Sequence, residues 1–213
     1  MTTDFQAILE FISEFGVMLI IAAIFLYTAI RVINMILSTW ESHLRDKKHD
    51  KLLDVRLSVN EKVQSLIETF LEQHNGDRVH VVEFSNSVVS VAYLPFKYMN
   101  CSYEVYTMGK TSFSSNIDKL STSLFTPFFT QLYKEEYVIL DATAPDPKLG
   151  GAIYDLMHHG GESHALCAIL KTAKGKSLGY VAFKKDTSFS DNDIEDILIL
   201  ADKVSALLGI MDN

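Results

Sequence analysis

The sequence has little cysteine and lacks the short motifs that mark common catalytic sites. Only two cysteines, Cys101 and Cys167, occur in 213 residues, and their spacing fits neither a disulfide framework nor a metal-binding pair. There is no Gly-x-Ser-x-Gly turn, no phosphate-binding glycine loop and no His-Glu-x-x-His motif. We therefore expect a non-enzymatic protein that needs no cofactor.

Positive charge is also scarce, and it is unevenly placed. The formal net charge is −8, so bulk electrostatics disfavour a nucleic-acid-binding role. No Lys or Arg precedes residue 31, whereas five Lys or Arg residues lie within positions 31–51. These residues are Arg31, Arg45, Lys47, Lys48 and Lys51.

A long apolar run near the N-terminus predicts one transmembrane helix over residues 16–40. The stretch from Gly16 to Ile30, with Ile20 and Phe25 inside it, carries no charge. At ~1.5 Å per residue the run is long enough to cross a ~30 Å hydrocarbon core. Its acidic N-terminal flank and the lack of a small-residue cleavage site favour a retained anchor over a signal peptide. A buried core helix is the competing interpretation.

The flanks of this run predict its orientation. Basic residues concentrated on the C-terminal side place that side in the cytoplasm by the positive-inside rule, in a single-pass inner-membrane protein. Arg31, Trp40, Arg45, Lys47 and Lys48 are the expected interface residues. The mixed-charge run over residues 41–51 fits a solvated helix face better than a specific recognition site. Residues 1–15 form an amphipathic segment that precedes the span.

Residues 41–60 read as a charged helical linker with an apolar seam. Leu52, Val55 and Val59 follow spacings of three and four, as in a coiled coil. This spacing predicts a homodimer formed through the linker, and packing of the same residues on the chain's own domain is the alternative.

Residues 61–213 predict an α+β domain with a mostly antiparallel sheet flanked by helices. Strands are expected at 78–84, 88–93, 97–108, 137–140, 165–172 and 177–185, from β-branched and alternating patterns. Helices are expected at 123–135, 149–159 and after Ser190, where Ser190 and Asp193 form a capping-box-like pair.

Two groups of residues are candidate sites. His158, His159 and His164 lie near Glu162 in the sequence and could bind a metal, but His158 and His159 before two glycines fit a helix C-terminus better. Four aromatic residues are candidates to line a pocket, with ordinary core packing as the alternative. They are Phe84, Tyr103, Phe128 and Tyr154.

The order of elements and the terminal hairpin resemble a GAF domain, a sensor module related in fold to PAS. The resemblance rests on an amphipathic helix that runs into the first strand, and on the stretch GKSLGYVAFKKDTSFSDNDIEDILILADKVSALLG. It implies a sensor or a protein-interaction module. The chain lacks the Asn-Lys-Phe-Asp-Glu signature of cyclic-nucleotide-binding members and an evident bilin-attachment cysteine, so the resemblance implies no ligand residue.

A weaker resemblance is to large single-span phage holins, which place one membrane helix before a domain of this size. It implies an alternative function, in which the protein oligomerises in the inner membrane and permits lysis. The soluble domain of that class faces the periplasm, opposite to the orientation that the charges predict.

Overall fold

The computed structural model describes residues 2–85 and 96–211, which form two compact units. The first unit comprises residues 1–54 and the second residues 55–213. Helix α1 (Thr2–His74) contributes to both. The compact unit thus begins six residues before the boundary at residue 61 that the sequence indicates.

The first unit contains the apolar part of α1. Segment Ile21–Glu41 is long and apolar enough to cross a membrane, with a mean hydropathy of 1.9 and no part of it buried. Phe25, Ile30 and Trp40 are exposed within it, and Gly16 and Ile20 precede it in the same helix. Length and composition match a membrane span. For Arg45, Lys47 and Lys48 the structure describes the helical backbone alone.

The second unit is built on a six-stranded antiparallel sheet in the order β3-β2-β1-β6-β5-β4. The strands are β1 (Arg78–Ser85), β2 (Tyr98–Tyr106), β3 (Leu120–Ser121), β4 (Tyr137–Asp141), β5 (His164–Lys171) and β6 (Ser177–Lys185). The predicted α+β class and antiparallel sheet are confirmed. The strand expected at 88–93 lies outside the described residues.

Three further helices, α2 (Thr126–Glu135), α3 (Gly151–Gly160) and α4 (Asp191–Met211), accompany the sheet. Helix α2 begins three residues later than predicted because residues 122–125 form a 3-10 turn, and Pro127 then occupies its first turn. Helix α3 begins at Gly151 because residues 147–149 form another 3-10 turn and Gly150 has a φ of 81°.

Both faces of the sheet are covered by apolar side chains. On the α1/α4 face, Val63 and Ile67 of α1 pack with Val81, Val181 and Val204. On the opposite α2/α3 face, the buried residues include Phe128, Phe129, Leu132, Ile153 and Tyr180. The sheet is thus the middle of three layers.

The structure corrects one residue of the predicted dimer seam. Val59 is 4% exposed and belongs to the core on the α1/α4 face of its own domain. Leu52 and Val55 are 46% and 43% exposed. Val59 lies one helical turn before Val63, on the stripe of α1 that the sheet covers. Only the first two seam residues thus remain accessible to a second chain.

The predicted cap of α4 is present. The Asp193 carboxylate accepts hydrogen bonds from the Ser190 backbone N–H at 2.7 Å and hydroxyl at 2.8 Å, and Ser190 Oγ accepts from the Asp193 N–H at 3.3 Å. Asp193 also lies 3.1 Å from His74 Nδ1 and 2.7 Å from Lys185 Nζ. The cap therefore joins the end of α1, the end of β6 and the start of α4.

Candidate functional site

A cluster of four buried charges lies on the α2/α3 face and is the most unusual feature of the described domain. Arg78, Glu104 and Lys184 come from the neighbouring strands β1, β2 and β6, and Glu162 follows α3. Each of the four side chains is at most 7% exposed. Charged side chains are rarely buried to this extent unless they are paired.

Arg78 is the centre of this cluster. Its Nη1 donates to Glu104 Oε1 at 2.8 Å, and its Nη2 donates to the Thr111 carbonyl at 2.8 Å. Its Nε lies 3.0 Å from Glu162 Oε1 but is misaligned for a hydrogen bond, so that contact is mainly Coulombic. Lys184 Nζ contacts the other oxygen of Glu162. Two cations are thus matched by two carboxylates.

The cluster holds the segment that follows β2 against the sheet. Glu104 accepts hydrogen bonds from the Phe113 N–H at 2.7 Å, the Ser114 N–H at 3.2 Å and the Ser112 hydroxyl at 2.6 Å. The Phe113 ring lies over Lys184, whose Nζ is 3.8 Å from the ring centroid, a cation–π arrangement. Residues 111–114 are therefore fixed by charge-assisted hydrogen bonds and a buried ring.

The pKa values of the two carboxyl groups shift in opposite directions. Burial raises the pKa of Glu162, and the nearby Lys184 and Arg78 only partly oppose this effect. For Glu104, burial also acts to raise the pKa, but hydrogen bonds from Ser112 and Phe113 and the charge of Arg78 outweigh it and lower the pKa. Burial lowers the pKa of Lys184. Dehydration is thus the main cost of this arrangement.

His80 lies beside the cluster and is also fully buried. Its ring is between Phe113 and Tyr180, with ring centroids 5.8 and 6.4 Å away. Its Nδ1 has no hydrogen-bond partner among the described residues. Burial, followed by the charges of Lys184 and Arg78, lowers the pKa of His80 well below 6.5. The imidazole is therefore neutral at physiological pH.

The predicted aromatic group is only partly brought together. Phe84, Phe128 and Tyr154 share the α2/α3 face. Tyr103 lies on the α1/α4 face, where its hydroxyl donates to Asn60 Oδ1 at 2.6 Å. A β-bulge in β2 leaves Ser102 without a partner on β1, so the alternation set by Met99 and Cys101 is reversed from Tyr103 onwards.

Aromatic rings pack against one another between the sheet and α2. Phe84 stacks on Phe96 with ring centroids 3.6 Å apart, and Phe129 meets Phe84, Phe128 and Tyr180 edge-on or tilted at 5.1 to 6.2 Å. Phe128 and Phe129 are fully buried. The described aromatic side chains on this face thus pack against one another, as core residues do.

The three histidines weighed as candidate metal ligands lie on two different elements. His158 and His159 lie in the last turn of α3, and Gly161 caps that helix with a φ of 68° and an N–H that donates to the His158 carbonyl at 3.1 Å. His164 is on β5, 3.6 Å from Asp141. No group of three or more potential metal ligands occurs among residues 2–85 and 96–211. The helix-cap interpretation is confirmed.

Both cysteines are protonated side chains of the sheet. Cys101 is half-buried and Cys167 is buried. Burial raises the pKa of each thiol to about 12. Because the thiolate is the reactive form of cysteine, neither residue has the environment of a nucleophile.

The charged cluster is what sequence reasoning missed. Arg78, Glu104, Glu162 and Lys184 each look like an ordinary surface charge in its own segment. The sequence signal that could have indicated the cluster is the presence of charges of both signs within otherwise apolar strands, which the fold brings together. Recognising it required the pairing of β1 with β2 and β6, which the sequence alone did not provide.

Comparison with solved structures establishes the fold, whereas no protein-family model and no curated protein matches the chain. The blue-light-absorbing form of the Thermosynechococcus elongatus PixJ GAF domain aligns with a TM-score of 0.56 at 13% identity, covering 75% of this chain and 88% of that one. A phycocyanobilin-bound GAF domain from a cyanobacterial phytochrome aligns with a TM-score of 0.54 at 11% identity, covering 76% and 92%.

A far-red cyanobacteriochrome photoreceptor also aligns, with a TM-score of 0.54 at 10% identity, covering 80% of this chain and all of that one. At these identities the similarity shows the fold alone. The domain therefore has the fold of GAF domains, as the resemblance in sequence implied.

Separating Arg78 from Glu104 is expected to destabilise the domain strongly. Arg78→Met leaves the buried Glu104 carboxylate without a cation, and Glu104→Gln leaves one buried cation in excess; each change costs about 3–5 kcal/mol. The double variant should cost much less than the sum, because Lys184 and Glu162 then remain as a matched pair. Hydrogen exchange of the β6 amides in the full chain, in detergent micelles, measures these free energies.

The matched control for this cycle is the exposed pair Lys171–Glu136, whose charged atoms are 3.1 Å apart. Its coupling energy should be between 0 and about 1 kcal/mol. Equal coupling energies for the two pairs would contradict the structural role given to the buried cluster.

His80 predicts a pH dependence of stability. Its folded-state pKa is depressed, so the unfolded chain binds an additional proton below the ordinary histidine pKa of about 6.5. The free energy of unfolding should therefore fall as the pH drops from about 6.5 to 5, with a slope that approaches 1.4 kcal/mol per pH unit from this residue. His80→Leu should remove that slope, and the exposed control His158→Gln should retain it. An unchanged slope in His80→Leu would show that another group is responsible.

Proposed function

We propose that this chain is a single-pass protein of the bacterial inner membrane, whose GAF-fold domain acts in the cytoplasm as a non-enzymatic sensor or protein-interaction module. One observation carries the proposal. The helix that contains the candidate membrane span, α1, also supplies Val63, Ile67 and Phe70 to the core of the domain. The helix that would anchor the chain is therefore also the helix that contributes these residues to the domain core.

The state of the charged and sulfur-containing side chains supports a non-enzymatic role. Arg78 and Lys184 are matched by Glu104 and Glu162 inside the domain. A group that performs acid–base or nucleophilic catalysis must reach a substrate, whereas these groups are turned toward one another. The raised thiol pKa values argue in the same direction.

The similar structures suggest sensing without identifying a ligand. One of them is described as bound to phycocyanobilin and another as a photoreceptor, and those descriptions apply to those proteins. In this chain the aromatic side chains of the α2/α3 face contact each other, and Cys167 is buried among them. We therefore propose that the domain senses through protein contacts rather than through an attached bilin.

The holin-like alternative receives no support from the comparisons. The similar structures reported above are GAF domains or photoreceptors. A role in forming membrane lesions is therefore not proposed for this chain.

Dimerisation through the linker is part of the proposed function. Leu52 and Val55 lie on the stripe of α1 that continues into Val59 and Val63, and both are exposed in a single chain. Exposed apolar residues at this spacing are typical of a two-helix seam. Pairing of two chains there would connect assembly to the GAF-fold domain.

The orientation is tested with reporters fused to the C-terminus. A cytoplasmic domain should give fluorescent green fluorescent protein and inactive alkaline phosphatase, because the phosphatase needs periplasmic disulfide formation. As a control, exchanging Arg45, Lys47 and Lys48 for Glu while changing Asp4 and Glu10 to Lys should invert the reporter pattern. An active phosphatase on the unaltered chain would overturn the cytoplasmic assignment.

The dimer is tested by changing the seam on one side of the helix. Combining Leu52→Asp with Val55→Asp should weaken self-association by tenfold or more, since each buried aliphatic side chain contributes about 1.5–3 kcal/mol. Energy transfer between labelled chains in vesicles measures the association. The control combines Leu53→Asp with Leu57→Asp, which lie on another side of α1 and are similarly exposed. Equal losses in both pairs would contradict a defined seam.

A further inference from the structure

The two ends of the sheet differ in charge. We call the end that holds the C-terminal residues of β1 the linker end, and the opposite end the far end. Glu83 pairs with Gly179 at the start of β6, and Gly179 pairs with Leu170 at the end of β5. The hairpin between β5 and β6 thus lies at the linker end.

Helix α1 enters the domain at this same end. Arg56 and Asn60 line a groove with Glu83 and Tyr103. At the other end of the domain, His74 contacts Asp193 at the start of α4. In the sequence, the residues before Val55 lead back to the candidate span. The linker end is therefore where the polypeptide arrives from its membrane segment.

Basic residues gather at the linker end. The hairpin contributes Lys171, Lys174 and Lys176 within six positions. Acids are present as well, but Glu136 is 3.1 Å from Lys171, and Glu135 is similarly paired with Lys134 at 3.0 Å. Lys174 is exposed at the tip of the turn. Glu83 and Asp202 are further acids at this end.

The far end is acidic. Asp186, Asp191 and Glu195 are exposed around the start of α4. Asp196 is also 47% exposed there. The cations of this end are largely engaged: Lys185 pairs with Asp193, Lys110 lies near Asp77 and Asp186, and Arg78 and Lys184 are buried with carboxylates. The domain is therefore more basic at the linker end and more acidic at the far end.

The lysine-bearing hairpin also borders an open groove beside the last turns of α4. The groove has a volume of about 770 Å³. Its rim carries the three hairpin lysines, and its lining includes the apolar side chains of Ala173, Ala206 and Ile210. Cationic groups around an apolar floor suit the headgroup region of a membrane, where phosphates and acyl chains meet.

We propose that the β5–β6 hairpin docks on anionic lipid headgroups of the bilayer that holds the span. This inference rests on the proposed membrane anchorage and adds a second contact with the same membrane. Each cation near an anionic surface strengthens association by about fivefold. Because Glu136 pairs with Lys171, the exposed Lys174 at the tip of the turn is the main contributor, and its share is about fivefold. The acidic far end is repelled by the same surface, so the charge polarity orients the domain.

The test uses the full chain in nanodiscs, with a fluorophore attached to Ala173→Cys at the hairpin tip. Lipids with a quencher on the headgroup report proximity. Discs enriched in phosphatidylglycerol should quench the fluorophore more than discs of phosphatidylcholine. High salt should reduce the difference, because the Debye length falls to about 3 Å at 1 M. The same label on Glu195→Cys at the far end should show no dependence on lipid charge, and the chain with native cysteines only gives the background.

Charge reversal supplies the matched variants. Lys174→Glu should weaken docking by about five- to twenty-five-fold, since it removes one attraction and adds one repulsion. Lys148→Glu makes the same charge change at an exposed position away from the hairpin and should leave quenching unchanged. Equal effects of the two variants, or equal quenching in the two lipid compositions, would overturn the proposal.

Flotation with vesicles after an alkaline wash separates this inference from the proposed anchorage. A chain that floats but shows no charge-dependent quenching retains its anchor and lacks the docking contact. A chain that does not float overturns both. Binding of the hairpin to an acidic protein or nucleic acid without lipid-dependent quenching would likewise refute the membrane assignment.

Discussion

The α2/α3 side of the domain depends on the ion pairing of Arg78. One guanidinium group contacts Glu104 from β2, Glu162 from the end of α3 and the carbonyl of Thr111. A buried charge with satisfied partners is tolerated, and the same charge without them is strongly destabilising. Apolar residues of similar volume would stabilise the domain equally well or better. The particular effect of the cluster is therefore to fix segment 111–114 and the end of α3 against strand β1.

Through these contacts the domain of the proposed sensor has a continuous series of packed elements, from segment 111–114 and α3 through β1 to α1. Segment 111–114 and the end of α3 both bear on Arg78, at the start of β1. The neighbouring β1 residues Val79 and Val81 face the other side of the sheet, among the core residues of α1 and α4. A single strand, β1, thus lies between segment 111–114 on one face of the sheet and α1 on the other face. Contiguous packing of this kind is a requirement for energetic coupling between sites.

Local sequence signals predicted the elements that depend on local interactions. The Ser190–Asp193 cap, the glycine-capped end of α3 and the β5–β6 hairpin were all identifiable, because each is formed by residues close in sequence. The charged cluster was not identifiable from the sequence, because one extra residue in β2 changes which of its side chains face α2 and α3. The bulge at Ser102 turns Tyr103 toward α1 and brings Glu104 toward Arg78. A one-residue shift reverses every later side chain of a strand, and no local pattern in this sequence announced it.

The positive charges of the chain are also grouped by the fold. In a chain of net charge −8, cations collect just after the apolar run and again at the hairpin, which are far apart in sequence. The sheet brings the second group to the end where α1 enters the domain. Charge asymmetry beside a span sets its orientation, and charge asymmetry across a domain sets how that domain meets a charged surface. The first asymmetry is the basis of the orientation proposed for the span, and the second is the basis of the docking proposed for the hairpin.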